Sequence, residues 1–264
     1  MTEYAEAVGT RVAFETKGEG PDIVFLHAGI ADRTMWEPQV EAFSDRYRCT
    51  TPDARGFGDT PIGDEPFSRR DDLAAVMDAI GAESAILIGC SIGAGFALDF
   101  AIEHPQRVDK LVLVGVTPAG FDGEDDPLLE HMWPQIDAAI SAGEFEKAGQ
   151  MEARLWVDGP RRDEGASPKW LRDKVVEWSI PINHITDWGE SRQLDPLAMQ
   201  RLHEVAAPTL VIVGTDDAEV VIAGCRATAE GIAAARLVEL AGTAHLPNLE
   251  VADAFNAALE AFFL

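Results

Sequence analysis

Short runs rich in Val, Ile and Leu recur along the chain, and they are apolar at consecutive positions rather than at alternate ones: Ile23–His27, Cys49–Asp53, Ala85–Gly89, Lys110–Val116, Thr209–Gly214 and Arg236–Leu240. A strand that is apolar on both faces needs cover on both faces, which is the situation of a parallel sheet between two helical layers. The segments between these runs change period. Arg69–Ile80 and Gly93–Glu103 repeat at helical spacing, and near the chain end Leu249, Phe255, Leu259 and Phe262 fall on one stripe. Arg11–Glu15, just ahead of the Gly18-Glu19-Gly20-Pro21 turn, reads as a leading antiparallel strand. The pattern predicts an α/β fold with a mostly parallel β-sheet flanked by helices.

The alternation stops between about Thr117 and Asp195. No strand pattern occurs there, yet five of the six tryptophans do: Trp133, Trp156, Trp170, Trp178 and Trp188. Helical periodicity is expected over Pro127–Ala142, Phe145–Val157, Pro168–Trp178 and Asn183–Trp188. The acid run Glu124-Asp125-Asp126 reads as a solvated face. The chain therefore divides into a core of residues 1–118 and 196–264 and an inserted all-helical cap of residues 119–195. Its tryptophans suggest an apolar ceiling to a pocket, or else fill a small core of their own.

Ala85–Ile102 is apolar enough to resemble a membrane span, but it holds Gly89, Gly93, Gly95, Ser91 and Asp99. It reads instead as a buried strand turning sharply into a buried helix. The turn is Gly89-Cys90-Ser91-Ile92-Gly93, a G-x-S-x-G sequence. A serine on such a turn sits in strained backbone, so small residues must flank it, and its hydroxyl projects beyond the sheet edge. The helix start aims free N–H groups at any negative charge formed there. Gly95 and Ala94 are expected to let the helix approach the sheet closely.

A serine hydroxyl is a weak nucleophile until a base takes its proton. Of the six histidines, His27 ends a buried strand, His104 precedes Pro105, His131 and His184 lie in the insertion, and His203 precedes a strand. His245 lies in the small-residue loop Gly242-Thr243-Ala244-His245 after the last strand, at the sheet edge where ligands bind in open α/β folds. It is the expected base. A carboxylate must then fix its tautomer, and Thr215-Asp216-Asp217 follows the strand Thr209–Gly214. Asp217 is favoured, with Asp216 as a solvated loop residue. Cys90 precedes the apex of the turn, where side chains point into the core, and is not expected to act as a nucleophile.

These residues resemble the α/β-hydrolase fold superfamily, in its compact serine esterase and lactonase branch. The resemblance spans essentially the whole chain. It rests on Leu26-His27-Ala28-Gly29, on Asp53-Ala54-Arg55-Gly56-Phe57-Gly58 and on the Ser91 turn. It extends to Glu103-His104-Pro105 with Val108 and Leu111, to Gly214-x-x-Asp217 and to Gly242-x-x-His245. It implies a catalytic Ser91, Asp217 and His245 and an oxyanion hole built from the backbone N–H groups of Ile92 and of Gly29 or Ile30. Members more often carry glycine where Ala28 stands, which leaves the first donor open between those two. It also implies that His27 shapes a turn, that Arg55 ties loops together, and that residues 119–195 form the family's helical cap. A serine rather than an aspartate at position 91 argues against the family's haloalkane dehalogenases and epoxide hydrolases.

Charge narrows the partners. With 21 basic and 46 acidic residues the formal net charge is −25, so neither nucleic acid nor an anionic membrane surface is an expected partner. Cys49, Cys90 and Cys225 are odd in number and widely spaced, and the amino-terminal MTEYAEA lacks the positive charge and apolar run of a signal peptide. A cytoplasmic protein is expected. No metal-binding spacing appears among the histidines and cysteines, Leu98 breaks the dinucleotide pattern begun at Gly93 and Gly95, and no cofactor is expected. The expected partner is a small ester or lactone hydrolysed through an acyl-enzyme. Two other readings stay open: the same three residues serving carbon–carbon bond hydrolysis, acyl transfer or perhydrolysis, and a small-ligand receptor with little turnover.

Overall fold

The computed structural model of the protein describes residues 1–124 and 126–264. Eight strands form one sheet: β1 (Glu3–Ala7), β2 (Thr10–Lys17), β3 (Asp22–Leu26), β4 (Arg48–Pro52), β5 (Ala85–Cys90), β6 (Val108–Val114), β7 (Thr209–Gly214) and β8 (Ala235–Leu240). Their order across the sheet is β1-β2-β4-β3-β5-β6-β7-β8. β1 and β2 are antiparallel to each other, β2 is antiparallel to β4, and every other pairing is parallel. The α-helices are α1 (Glu37–Phe43), α2 (Arg69–Ala79), α3 (Ile92–Glu103), α4 (Pro127–Ser141), α5 (Phe145–Glu152), α6 (Lys169–Asn183), α7 (Ala198–Arg201), α8 (Glu219–Gly231), α9 (Pro247–Glu250) and α10 (Ala252–Phe263). The doubly covered, mostly parallel sheet expected from the apolar runs is what forms.

Alternate residues of each central strand supply the two sides of the core. Val24, Leu87, Leu111, Leu113, Val211 and Val213 pack under α2, α3 and α8 with Met77, Leu98 and Ile222. Ile23, Phe25, Ile86, Ile88, Val112 and Ile212 face the other way, onto Trp36, Phe43, Phe255 and Leu259 of the layer made by α1, α9 and α10. This two-sided burial removes the period-two signal and leaves the continuous apolar runs. Strand β8 lies at the sheet edge and is only half-buried.

Between β6 and β7 the described chain carries α4, α5 and α6, the short α7, and a π-helical stretch at Ala153–Asp158. Met132, Ile136, Ala139, Ala148 and Leu155 form a small core of the insertion's own. Leu171, Val175 and Trp178 of α6 instead join the core of the main sheet. Asp125 lies outside the described residues; of its neighbours in the acid run, Glu124 is exposed, while Asp126 accepts a hydrogen bond from Leu128 N–H (2.9 Å) and so caps α4.

Several local expectations are corrected. Asn183–Trp188 is not a helix: α6 runs on to Asn183, and the chain then drops so that Ile185 and Trp188 both pack over Gly56. Two apolar side chains three residues apart that meet one target imitate a helical stripe. The expected helix Phe145–Val157 is α-helical only to Glu152 and continues as the π-helical stretch. The terminal stripe spans two helices, because Val251 (φ −129°, ψ 50°) breaks the chain between α9 and α10. Strand β1 went unrecognised. It pairs back on β2 through a turn at Gly9 (φ +68°), and Ala5 is its one fully buried residue, too few to show a period. Among the described residues no helix is long and apolar enough to cross a membrane.

Candidate active site

The strand order places a crevice between β3 and β5. After β3 the chain turns away to β4 on one side, whereas after β5 it turns away to β6 on the other. The loops leaving the two strands diverge, and the gap between their first residues is where open α/β sheets bind ligands. Gly29 follows β3, Ser91 and Ile92 follow β5, and all three line one cavity of about 780 Å³.

Ser91 has φ 56° and ψ −117°, and it is the one non-glycine residue with positive φ among those described. The strain is held from both sides. Ser91 N–H donates to Val114 O (2.8 Å) and Ser91 O accepts from Gly95 N–H (3.1 Å). A Cβ at Gly89 would overlap the Gly93 carbonyl, and a Cβ at Gly93 would overlap the carbonyls of Leu26 and His27. Gly95 behaves differently from the expectation: a Cβ there meets nothing within 4 Å, and the residue faces the cavity. Gly89→Ala and Gly93→Ala should therefore each cost about 3 kcal/mol or more, because backbone must move. Gly95→Ala should gain up to about 1 kcal/mol from helix propensity. Urea unfolding of the three variants checks both signs.

His245 and Asp217 meet. His245 Nδ1 lies 2.8 Å from Asp217 Oδ2, both side chains are buried, and Asp217 Oδ1 accepts from Ala218 N–H (2.8 Å). Asp216 points elsewhere, its carboxylate 3.8 Å from the Arg162 guanidinium. Among the described residues His245 Nε2 has no hydrogen-bond partner, and no hydrogen bond joins it to Ser91, although both residues line the same cavity. The loop bearing Asp217 is laced to the loop bearing His245: Thr215 N–H donates to Leu240 O (2.9 Å) and Asp216 N–H to Thr243 O (3.0 Å). A Cβ at Gly214 would overlap the carbonyls of Thr243 and Ala244, so glycine there allows the two loops to close up.

The insertion holds the imidazole from above. His245 N–H donates to Trp156 O (3.1 Å), and the Trp156 ring lies 4.8 Å from the imidazole at 39°. Arg162 donates to Val157 O (2.6 Å) and Asp158 O (2.7 Å) and pairs with Glu250 (2.7 Å), while Glu250 accepts from Thr243 Oγ1 (2.8 Å). Below, Gly115 (φ +57°) closes the site, for a Cβ there would stand 3.1 Å from the His245 ring. Sequence reasoning missed Gly115, Arg162 and Glu250. The signal for Gly115 was a lone glycine at the end of a buried run; the other two are ordinary charged residues until the loops come together.

Gly29 and Ile92 are neighbours, and neither backbone N–H donates to an acceptor among the described residues. The adjoining donors are occupied: Ala28 N–H reaches Met35 Sδ (3.2 Å) and Ala31 N–H reaches Ala28 O (3.2 Å). Ile30 N–H is also without a protein acceptor, but Ile30 is not part of the cavity wall. Two N–H groups without a described acceptor therefore stand at one cavity wall beside a serine, an arrangement able to donate to negative charge formed there.

His27 is buried with both ring nitrogens committed: Ala54 N–H donates to Nε2 (2.9 Å), and Nδ1 lies 2.8 Å from Ala28 O. Burial lowers its pKa, which keeps it neutral. Arg55 pairs with Asp72 and donates to the carbonyls of Val8 and Ile62. The Cys90 thiol is buried, donates to His245 O (3.6 Å), and is driven well up in pKa by burial first and the Asp217 charge second, so it stays protonated. All three cysteines are free and buried, and among the described residues no cluster of side chains is arranged to hold a metal ion.

The rest of the wall carries both apolar and charged residues. Phe57, Trp156, Trp188 and Val221 form the apolar part. Of the remaining tryptophans in the insertion, Trp178 is buried and donates to Thr34 Oγ1 (3.1 Å), whereas Trp133 and Trp170 are exposed. Asp99, two turns along α3 from Ser91, lies in the wall beside Arg70. Burial chiefly pushes its pKa up to about 6, against the pull of Arg70. A carboxyl whose pKa rises on folding supports stability below its unfolded value and withdraws that support as pH climbs through the folded value. Asp99→Asn is expected to match the wild type below about pH 4 and to be about 1–2 kcal/mol more stable at pH 7.5, allowing for partial exposure. Urea midpoints across that range give the sign.

Comparison with known proteins agrees with the layout. The chain is 34% identical to the pimeloyl-(acyl-carrier protein) methyl ester esterase of Aeromonas hydrophila over 132 residues, spanning about half of either chain. It is 29% identical to the 2-hydroxy-6-oxo-6-phenylhexa-2,4-dienoate hydrolase of Comamonas testosteroni over 259 residues, 93% of this chain and 88% of that one. The enol-lactonase from Burkholderia xenovorans LB400 superposes with a TM-score of 0.76 at 24% identity, covering 99% of each chain, which speaks to the fold. A family model described as the alpha/beta hydrolase fold matches residues 21–252, and with the sheet order and the strained serine turn already in place, the chain belongs to that family.

Proposed function

We propose that the protein is a serine hydrolase that cleaves a small carboxylic ester or lactone through Ser91, His245 and Asp217, with residues 119–195 serving as a cap over the site. The observation that carries this reading is the buried Asp217–His245 hydrogen bond. It spends Nδ1 on the carboxylate and leaves Nε2 free as an acceptor at the cavity that Ser91 lines. In unliganded enzymes the bond between nucleophile and base is often long and tightens once substrate is bound.

In this mechanism Nε2 takes the Ser91 proton as Oγ attacks the carbonyl carbon. The N–H groups of Gly29 and Ile92 receive the oxyanion, each contribution of this kind being worth about 10² to 10³ in rate. The tetrahedral adduct collapses, the alkoxide leaves with the proton from His245, and water repeats the sequence on the acyl-enzyme to release the acid. Asp217 stays ionised and stabilises the imidazolium. Protons and bonds balance with water as the only co-substrate.

The test is turnover of short-chain p-nitrophenyl esters and aliphatic lactones, run beside a dienoate carrying a C–C bond vinylogous to a ketone. Preference for the esters or lactones supports the proposal. Preference for the dienoate favours carbon–carbon hydrolysis, a second reading to which the similarity to the C. testosteroni dienoate hydrolase lends weight. Tight binding of an apolar ligand without turnover, unchanged in Ser91→Ala, would indicate a receptor.

A further inference from the structure

The charged residues of the cavity wall are mostly cationic in a protein whose net charge is −25. Arg69, Arg70 and Arg192 line the cavity, and Asp99 is the one carboxylate among the described lining residues. Two of the arginines are already engaged. Arg70 pairs with Glu103, lies 3.8 Å from Asp99, and donates to Arg192 O (3.2 Å); Arg192 lies 3.8 Å from the exposed Asp71.

Arg69 is not engaged. Among the described residues no carboxylate lies within 4.0 Å of it, and its side chain makes a single hydrogen bond, Nη1 to Arg55 O at a long 3.4 Å. Its guanidinium sits over the rings of Phe96 (4.7 Å) and Phe67 (5.3 Å). Burial above all, with repulsion from Arg55, lowers its pKa to about 10 against the pull of Asp72, so it remains charged at neutral pH. It also opens helix α2, where the helix dipole disfavours a cation. A guanidinium mostly out of water, over two aromatic rings, without an ion-pair partner among the described residues, and at the wrong end of a helix is costly unless an anion completes it. Phe96 stands five residues beyond Ser91 on α3, a backbone rise of roughly 7 Å, and Ser91, Phe96 and Arg69 line the same cavity.

We propose that the substrate carries a carboxylate remote from its scissile carbonyl, and that Arg69 binds that carboxylate at the wall of the same cavity while Ser91 attacks. The inference rests on the esterase reading for the second half of that statement. The Arg69 guanidinium has Nε and Nη2 without a described partner, and its planar fork can grip two carboxylate oxygens at once, which a lysine in the same place does not reproduce. Asp99 does not cancel the site, because it stands beside Arg70.

Initial rates for monomethyl succinate, glutarate and adipate are to be compared with those for methyl butyrate, valerate and hexanoate. The wild type should favour at least one half-ester over its neutral counterpart by about 10-fold or more in kcat/KM, as a charge-assisted contact provides. Arg69→Met should cut that preference by about 10- to 100-fold, mostly through KM, and Arg69→Lys should restore part of it. Equal rates for charged and neutral esters in the wild type, or a preference that survives in Arg69→Met, overturns the proposal. If no ester is hydrolysed, the reaction assignment fails and the anion site is read separately, by calorimetric titration of glutarate and adipate into the wild type and Arg69→Met. Binding that disappears with Arg69 upholds the site, and no binding to either protein removes it.

Discussion

Ser91→Ala and His245→Ala are each expected to lower kcat for ester hydrolysis by about 10⁶-fold, with the double variant little worse than either single one. In the proposed mechanism the two act as a unit: the alcohol is inert without its base, and the base has nothing to activate without the alcohol. What survives is the contribution of the Gly29 and Ile92 donors and of binding. The folded state should hardly change in Ser91→Ala. The strained φ of 56° is imposed by the bonds to Val114 and Gly95 and by the glycines around the turn, none of which involves the hydroxyl. Steady-state kinetics with thermal melts on the same preparations read both statements. Additive losses in the double variant would mean that the two residues work independently.

Asp217→Asn is expected to cost about 10⁴-fold in kcat with the geometry nearly intact, while Asp216→Asn stays within about threefold. The carboxylate accepts from His245 Nδ1 and from Ala218 N–H at once. An asparagine can keep one of those bonds only by presenting its NH₂ to the other partner. Presenting the amide nitrogen to Nδ1 forces the imidazole proton onto Nε2, the atom that must be bare to accept the serine proton. Asp216 has no such partner; its neighbour is Arg162, near the surface. A large loss in Asp216→Asn with normal rates in Asp217→Asn would reverse the assignment of the acid.

Much of this arrangement could be read from the chain because it rests on local constraints. The sheet showed itself through runs apolar on both faces, and the serine turn through glycines whose Cβ atoms would overlap carbonyls. The loop residues His245 and Asp217 were placed by position after a strand. Features that depend on contacts between distant segments were not legible. Arg162 and Glu250 join the insertion to the His245 loop through a bond between residues 88 positions apart, and neither has a local pattern. Ile185 and Trp188 share a target at Gly56 and so imitated a helix, and Gly95 sits beside close-packed glycines while facing open space. The five tryptophans of the insertion look alike in sequence, yet only Trp156 and Trp188 reach the cavity, because burial there is decided by α6 joining the main core.

The central claim is that Ser91 is an activated nucleophile, and labelling with a fluorophosphonate followed by intact mass and peptide mapping tests it most directly. The account predicts a single adduct on the peptide containing Ser91, absent in Ser91→Ala and formed far more slowly in His245→Ala. An adduct on another residue, or steady ester hydrolysis by a protein whose Ser91 stays unmodified, would contradict it.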